Sequence, residues 1–443
     1  MNPILQRYLN VRRGELLPIL LAALYFFCIL TALMVLRPAR EALGIQRGIE
    51  AVRWLFMGTL LVTLAVNPLF GFLVSRFRRM VFIAAMHGIF AVNLLVFWAL
   101  LVLAPEVVGE ISGLVFYIWM SVFNLFMTML FWALMADRFS LEQSKRLFGV
   151  IAAGGTIGAI FGSWLAAVLA QRAGTPALLL IAVASLLLAL LAAWGVSRLQ
   201  PERARAAAGD PDSPPAVDER AIIGGSAWEG FRAAVRTPYL LGISGYVLVL
   251  TVLATFLYFT RLQMVAALGE DLDMRTGVFA GIDFIVQVST LVLQLLIAGH
   301  VMKRLGVHVA LALVPLIIAL GYVGLAIAGS LAALIVFDAV FRATQRAIMR
   351  PARETLFTVV RREDKYKAKA FIDTFVYRGG DALGAQTEGL LARFGMGLTA
   401  LASVAVPLAL LWAALGFWLG RTQQQFAVTK SAIPLVDPAR ATG

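Results

Sequence analysis

Apolar runs recur along this chain, each close to the roughly 20 residues that carry a helix across a bilayer. No other feature constrains the fold as strongly. Six fall in the first half, at about Leu16–Leu36, Trp54–Ser75, Met80–Leu103, Ile111–Ala136, Leu147–Ala170 and Ala177–Ser197. Six more follow at about Tyr239–Thr260, Thr276–Ala298, His308–Ala328, Leu331–Met349, Ala368–Ala392 and Leu398–Gly420. In lipid each run must satisfy its own backbone hydrogen bonds, which a helix does and an isolated strand does not. The expected fold is an all-α membrane protein of twelve transmembrane helices in two six-helix lobes.

Composition agrees: 61% of the 443 residues are hydrophobic and 14% charged, against about 25% charged in soluble domains. The net charge of +13 sits mostly in short connectors between runs, as in membrane proteins whose cytoplasmic loops are basic. A nucleic-acid surface would gather those cations on a soluble face, so no nucleic-acid partner is expected. The first run follows Arg12 and Arg13 but is too long for a signal h-region and lacks a small-residue cleavage site. The single cysteine, Cys28, excludes an intrachain disulfide.

The halves are joined by Arg198–Ser226, rich in Pro, Ala and charge and unable to bury a core, which reads as a linker. Trp228–Thr237 reads as a short amphipathic interfacial helix. The expected organisation is a six-helix lobe over 1–197, a cytoplasmic linker over 198–237, a second lobe over 238–421 and a tail over 422–443. Arg7, Arg12 and Arg13, the Arg76–Arg79 turn, Arg138–Arg146, the linker, Lys303, Arg304 and the Arg350–Lys369 loop share one side. The acidic Pro105–Glu110 connector, Arg172, Gly269–Arg275 and Arg393 take the other, and the first outer connector, with Arg37, Arg40, Arg47 and Arg53, is an exception. Both termini are therefore expected in the cytoplasm of a bacterial inner membrane. This layout is that of a two-lobed secondary transporter, expected to be a monomer in the bilayer with a small anionic solute as its partner.

One stretch, Phe337–Glu388, breaks the apolar pattern. Asp338, Arg342, Asp373, Arg378, Asp381 and Glu388 fall inside the tenth and eleventh runs. Unpaired at the bilayer centre they would cost about 15–20 kcal/mol gross, so they must pair, face water or lie near an interface. Asp338, Arg342, Arg346 and Arg350 recur every four residues and are expected to form one stripe; Asp373, Tyr377, Asp381, Gly384 and Glu388 are expected to share a face. A substrate cavity, with Arg forking to an anion, and a structural ion-pair network both fit. Arg37-Pro38-Ala39-Arg40-Glu41 returns as Arg350-Pro351-Ala352-Arg353-Glu354, each copy just after an apolar run. Arg37 and Arg40 suit either an anion at a cavity mouth or interfacial snorkelling.

Three of the six lysines, Lys365, Lys367 and Lys369, precede the eleventh run. Gly154, Gly155, Gly158 and Gly162 give small-xxx-small spacings that suit close helix packing. Asp283 and Gln287 make a polar face on the eighth run, either a lobe-facing site or an interhelical pair. Three scattered histidines and one cysteine build no metal site, and no catalytic constellation stands out, so neither a cofactor nor an enzyme is expected.

Leu36-Arg37-Pro38-Ala39-Arg40-Glu41-Ala42-Leu43 resembles the Leu-Arg-x-x-Lys-Asp-x-Leu signature of the ATP/ADP translocase (nucleotide transporter) family. Phe131-Trp132-Ala133 with Glu142–Phe148 resembles its fourth-to-fifth span junction. Pro351-Ala352-Arg353-Glu354, Lys367–Asp373 and Arg378-Gly379-Gly380 resemble its Pro-Thr-Lys-Glu, Lys-Gly-Lys-Ala-x-Ile-Asp and Arg-x-Gly. The resemblance implies a divergent member with a major-facilitator-like fold, exchanging nucleotides of the ATP/ADP kind by alternating access. Arg37, Arg40, Arg342, Arg353, Lys369 and Arg378 would hold the anion. Glu41, Asp283, Asp338, Glu354, Asp373, Asp381 and Glu388 would pair with them or couple protons. Arg stands for the family lysine at Arg40 and Arg353, and Asp381 for the lysine after Arg-x-Gly. A proton-coupled carrier or exporter of another solute and a non-transporting membrane scaffold or sensor are the alternatives.

Overall fold

The computed structural model describes residues 15–104, 113–139, 141–199, 231–232, 234–296, 298–360, 367–369, 371–395 and 397–432. Lys365, the acidic connector, most of the linker, Trp228 and Glu229, both termini and the end of the tail lie outside them. No strand occurs among the described residues. The chain runs through α1 (Leu16–Gly44), α2 (Ile49–Arg76), α3 (Arg79–Leu103) and α4 (Gly113–Arg138). Leu141–Leu199 breaks at Gly174 into α5 (141–173) and α6 (175–199). Then come α7 (Pro238–Ala266), α8 (Leu272–Leu296) and α9, which is 307–328 of Ala298–Ala328 beyond a break at Gly306. α10 (331–356) and α11 (372–393) precede α12 (Leu398–Ala432).

Among the described residues nine helices are long and apolar enough to cross a membrane, one of them the bent Arg146–Leu199. Dividing that helix at Gly174 and adding the charge-bearing α10 and α11 gives the twelve expected. This is a multi-pass membrane protein.

The chain forms two compact units: residues 1–218 with 262–288, and 219–261 with 289–443. In the first, α5 lies along α1 at backbone distance. A Cβ on Gly154 would meet the Ala23 carbonyl, one on Gly158 the Phe27 backbone and one on Gly162 that of Thr31. The Thr31 hydroxyl donates to the Gly158 carbonyl at 3.2 Å. Helices in lipid gain by packing rather than by expelling water, and small residues allow that approach. Behind it Phe26 stacks on Phe131 at 4.1 Å and Trp119 on Phe123 at 5.2 Å. The break at Gly174 has φ 79°, a conformation glycine adopts without a Cβ penalty. Asp273 then accepts from the Thr175 amide at 2.7 Å, satisfying a donor at the start of α6.

In the second unit α10 opens with Ser330, whose hydroxyl accepts from the Ala333 amide at 3.3 Å. Its helix (Leu331–Thr344) passes through a π turn (Gln345–Met349) into Arg350–Leu356, and α11 opens on a second π turn (Ile372–Val376). A π turn inserts one residue and rotates everything after it around the helix. The expected Asp338–Arg350 stripe is therefore interrupted: Asp338 and Arg342 are buried, Arg350 is exposed, and Arg353 takes the inward position. The second π turn likewise leaves Asp373 exposed while Glu388 is buried.

Candidate functional site

The most enclosed charges of the second unit meet at Asp338. Arg342, four residues on, donates to its Oδ2, and Arg261 from α7 reaches the same oxygen at 3.5 Å. All three side chains are less than a tenth exposed. Glu388 on α11 is also buried, and Tyr322 on α9 lies within electrostatic reach of both carboxylates. Two cations and two acids make a balanced set, the condition under which charge can stay away from water. Arg261 was not expected. The seventh apolar run ends at Thr260, whereas the helix continues to Ala266 and carries Arg261 inside.

A second cluster joins the end of α10 to the start of α11. Arg353 contacts Asp373 at 3.2 Å and Glu354 at 3.6 Å, and Lys369 pairs with Glu354. Each helical segment supplies one cation and one acid, so the charges alternate along the chain of contacts. Lys369 also lies 5.7 Å from the Phe357 ring. Burial alone would push the Glu354 carboxyl up, but the Lys369 ammonium, then Arg353 and Arg350, hold it below its ordinary range.

Arg378 and Asp381 form the third pair, with Nη1 and Oδ2 3.5 Å apart and the Arg378 side chain 35% exposed. In the first unit Arg37 reaches Asp283 at 3.5 Å, and Gln287 donates to the Met34 sulfur at 3.3 Å. Arg40 binds Glu41 at 2.6 Å and lies 4.4 Å over the Tyr117 ring. α1 continues past Pro38 to Gly44, so Arg37 and Arg40 belong to the helix rather than to the connector. The two Arg-Pro-Ala-Arg-Glu copies end up differently: in the first the acid, Glu41, is buried, and in the second the arginine, Arg353.

Within the second unit the expected residues thus fall around Asp338, around Glu354 and at Arg378–Asp381, and within the first at Arg37–Asp283 and Arg40–Glu41. Further pairs absent from the expected list tie helix ends together in the first unit. Glu15 is held by Arg146 at 2.9 Å and accepts from Gln143 at 3.2 Å, and Arg79 binds Asp137 at 2.6 Å. Their signal was present only as connector charge. No group of three or more His, Cys, Asp or Glu that could hold a metal occurs among the described residues.

The sequence profile of the Major Facilitator Superfamily matches residues 19–350. The chain belongs to that superfamily. No curated protein matches it. Among solved structures it is similar to a bacterial homolog of the human lysosomal transporter Spinster, in an inward-facing and unoccupied conformation. The identity there is 14% and the TM-score 0.56, over 94% of this chain and 99% of that one. The nucleoside transporter NupG gives 15% identity and a TM-score of 0.55, over 94% and 99%. The POT family transporter PepTSo gives 13% and 0.57, over 94% and 98%. At these identities the similarity speaks for the fold.

Proposed function

We propose that this protein is a secondary transporter working by alternating access that exchanges anionic solutes of the nucleotide class. The observation that carries the reading is the looseness of the Arg378–Asp381 pair. At 3.5 Å it is longer than the roughly 2.7–2.9 Å of a good charge-assisted hydrogen bond, and its arginine is 35% exposed. A guanidinium held this way exchanges its carboxylate for a phosphate or carboxylate of a solute at low cost. Arg37, a quarter exposed and 3.5 Å from Asp283, has a pair of the same length; Lys369 is part exposed but held close to Glu354. Arg342 does not: it is enclosed with Asp338 and Arg261, so its role is structural. Arg40, bound closely to Glu41, and Arg353, enclosed between Asp373 and Glu354, position the ends of α1 and α10.

The nucleotide class rests on the motif resemblance around Arg37, Arg353 and Arg378. Purified protein reconstituted in liposomes should take up labelled ATP when ADP or phosphate is trapped inside; uptake that ignores the counter-substrate removes the nucleotide from the reading. A second reading, a proton-coupled carrier of another solute, is favoured by the carboxylate of Asp381 seated against α7. It requires uptake that responds to a pH gradient and is untouched by excess nucleotide. The two six-helix lobes, 1–197 and 238–421, and cytoplasmic termini in a bacterial inner membrane complete the proposal.

A further inference from the structure

Asp381 has a partner that its own helix does not supply. α11 meets α7 at backbone distance: a Cβ on Gly384 would fall 2.9 Å from Thr255 Cβ and 3.0 Å from Val252 Cα, and Gly380 faces Thr251 one turn earlier. The hydroxyls of Thr251 and Thr260 donate to their own helix, at the carbonyls of Leu248 and Phe256, each at 2.9 Å. Thr255, buried between them and packed against Gly384, has its hydroxyl within hydrogen-bonding reach of the Asp381 carboxylate across the contact. Gly380 and Gly384 bracket Asp381 on the same helix, and any larger residue at either would hold the two helices too far apart for that bond.

We propose that Thr255 is a positioning residue that keeps Asp381 hydrogen-bonded to α7 while Arg378 exchanges that carboxylate for a solute anion. This rests on the role given to Arg378 above. A buried acceptor stripped of every donor carries its full desolvation penalty. With Thr255 in place, Arg378 leaves without stripping Asp381, and the carboxylate stays on the α7 side rather than following the guanidinium. Without the hydroxyl, the arginine and its acid are bound to each other alone.

The test needs no substrate, so its failure and that of the transport reading are told apart. Full-length protein is purified in detergent and its thermal unfolding compared across variants. Thr255→Val, which keeps the shape and removes the hydroxyl, should lower Tm by about 2–4 °C, and Thr255→Ser, which keeps the hydroxyl, should lose less. In an Asp381→Ala background Thr255→Val should cost nothing further. In an Arg378→Gln background it should cost more than in wild type. A Thr255→Val protein that melts with wild type, or losses that simply add with Asp381→Ala, overturns the proposal. If Asp381→Ala does not fold, the Val-against-Ser comparison decides.

Discussion

Asp338 and Asp381 both pair with an arginine three or four residues further along or back, yet they belong to different kinds of contact. Asp338 is enclosed with two guanidiniums, and removing it leaves two buried cations against Glu388. Breaking a buried pair from one side costs about 3–5 kcal/mol, so Asp338→Asn should lower thermal stability by several degrees. Adding Arg261→Gln should recover part of that loss by restoring the charge balance; a double variant no more stable than Asp338→Asn would show that the balance is not what matters. Arg378 is the opposite case. Its pair is long and its guanidinium part exposed, so Arg378→Ala should lower the melting temperature less than Asp338→Asn does and abolish counter-substrate-dependent uptake. Retained wild-type rates would remove Arg378 from the site. Glu354 adds a pH dependence. Its folded-state carboxyl is held low by Lys369, Arg353 and Arg350, so the stabilisation it gives is fully present above about pH 4.5. It is lost as pH falls through the lower folded value, and Glu354→Gln should flatten that part of a Tm–pH curve. The i,i+4 spacing made the Asp338–Arg342 contact readable in the sequence. Arg261 was not, because hydropathy ends a helix at the first charge whether or not the helix itself ends there.

Helix packing shows the same division between what pattern reveals and what it conceals. The glycine spacing of α5 announced a close approach, and the structure supplies its partner, the backbone of α1 at Ala23, Phe27 and Thr31. Gly158→Val should therefore abolish folded protein, whereas Gly149→Ala, on the same helix with nothing within 4 Å of its added Cβ, should be neutral or slightly stabilising. Equal yields of the two variants, read by size-exclusion chromatography, would deny the α1–α5 contact. The π turns at Gln345–Met349 and Ile372–Val376 left no such trace. A widened turn has no composition of its own, so a regular period carried through it predicts the wrong face. That is why Arg346 and Arg350 were aligned with Arg342, while the inward cation after the turn is Arg353. The twelve apolar runs, by contrast, were legible because length and hydropathy alone set what crosses a bilayer. Only α10 and α11, whose charges are satisfied by tertiary partners, fall below that threshold.

For the molecule as a whole, the direction of insertion turns on which connectors carry the 38 Lys and Arg. Connectors rich in Lys and Arg resist translocation, and in this chain they alternate, after the first, with connectors that carry few cations. The connector after α1, expected outside, departs from this in the sequence through Arg37 and Arg40. Both lie within α1, each against a carboxylate, so they are charges neutralised inside the protein rather than loop cations. Removing them from the count leaves Arg47 and Arg53 there, and Arg53 also has an acid, Glu50, at 3.8 Å. A fluorescent reporter fused after Gly443 should fold and fluoresce in the cytoplasm. A secreted phosphatase inserted at Gly269, in the connector that holds Glu270 and Asp271, should be active outside. The opposite pattern would invert the topology and with it the side from which Arg378 first meets its solute.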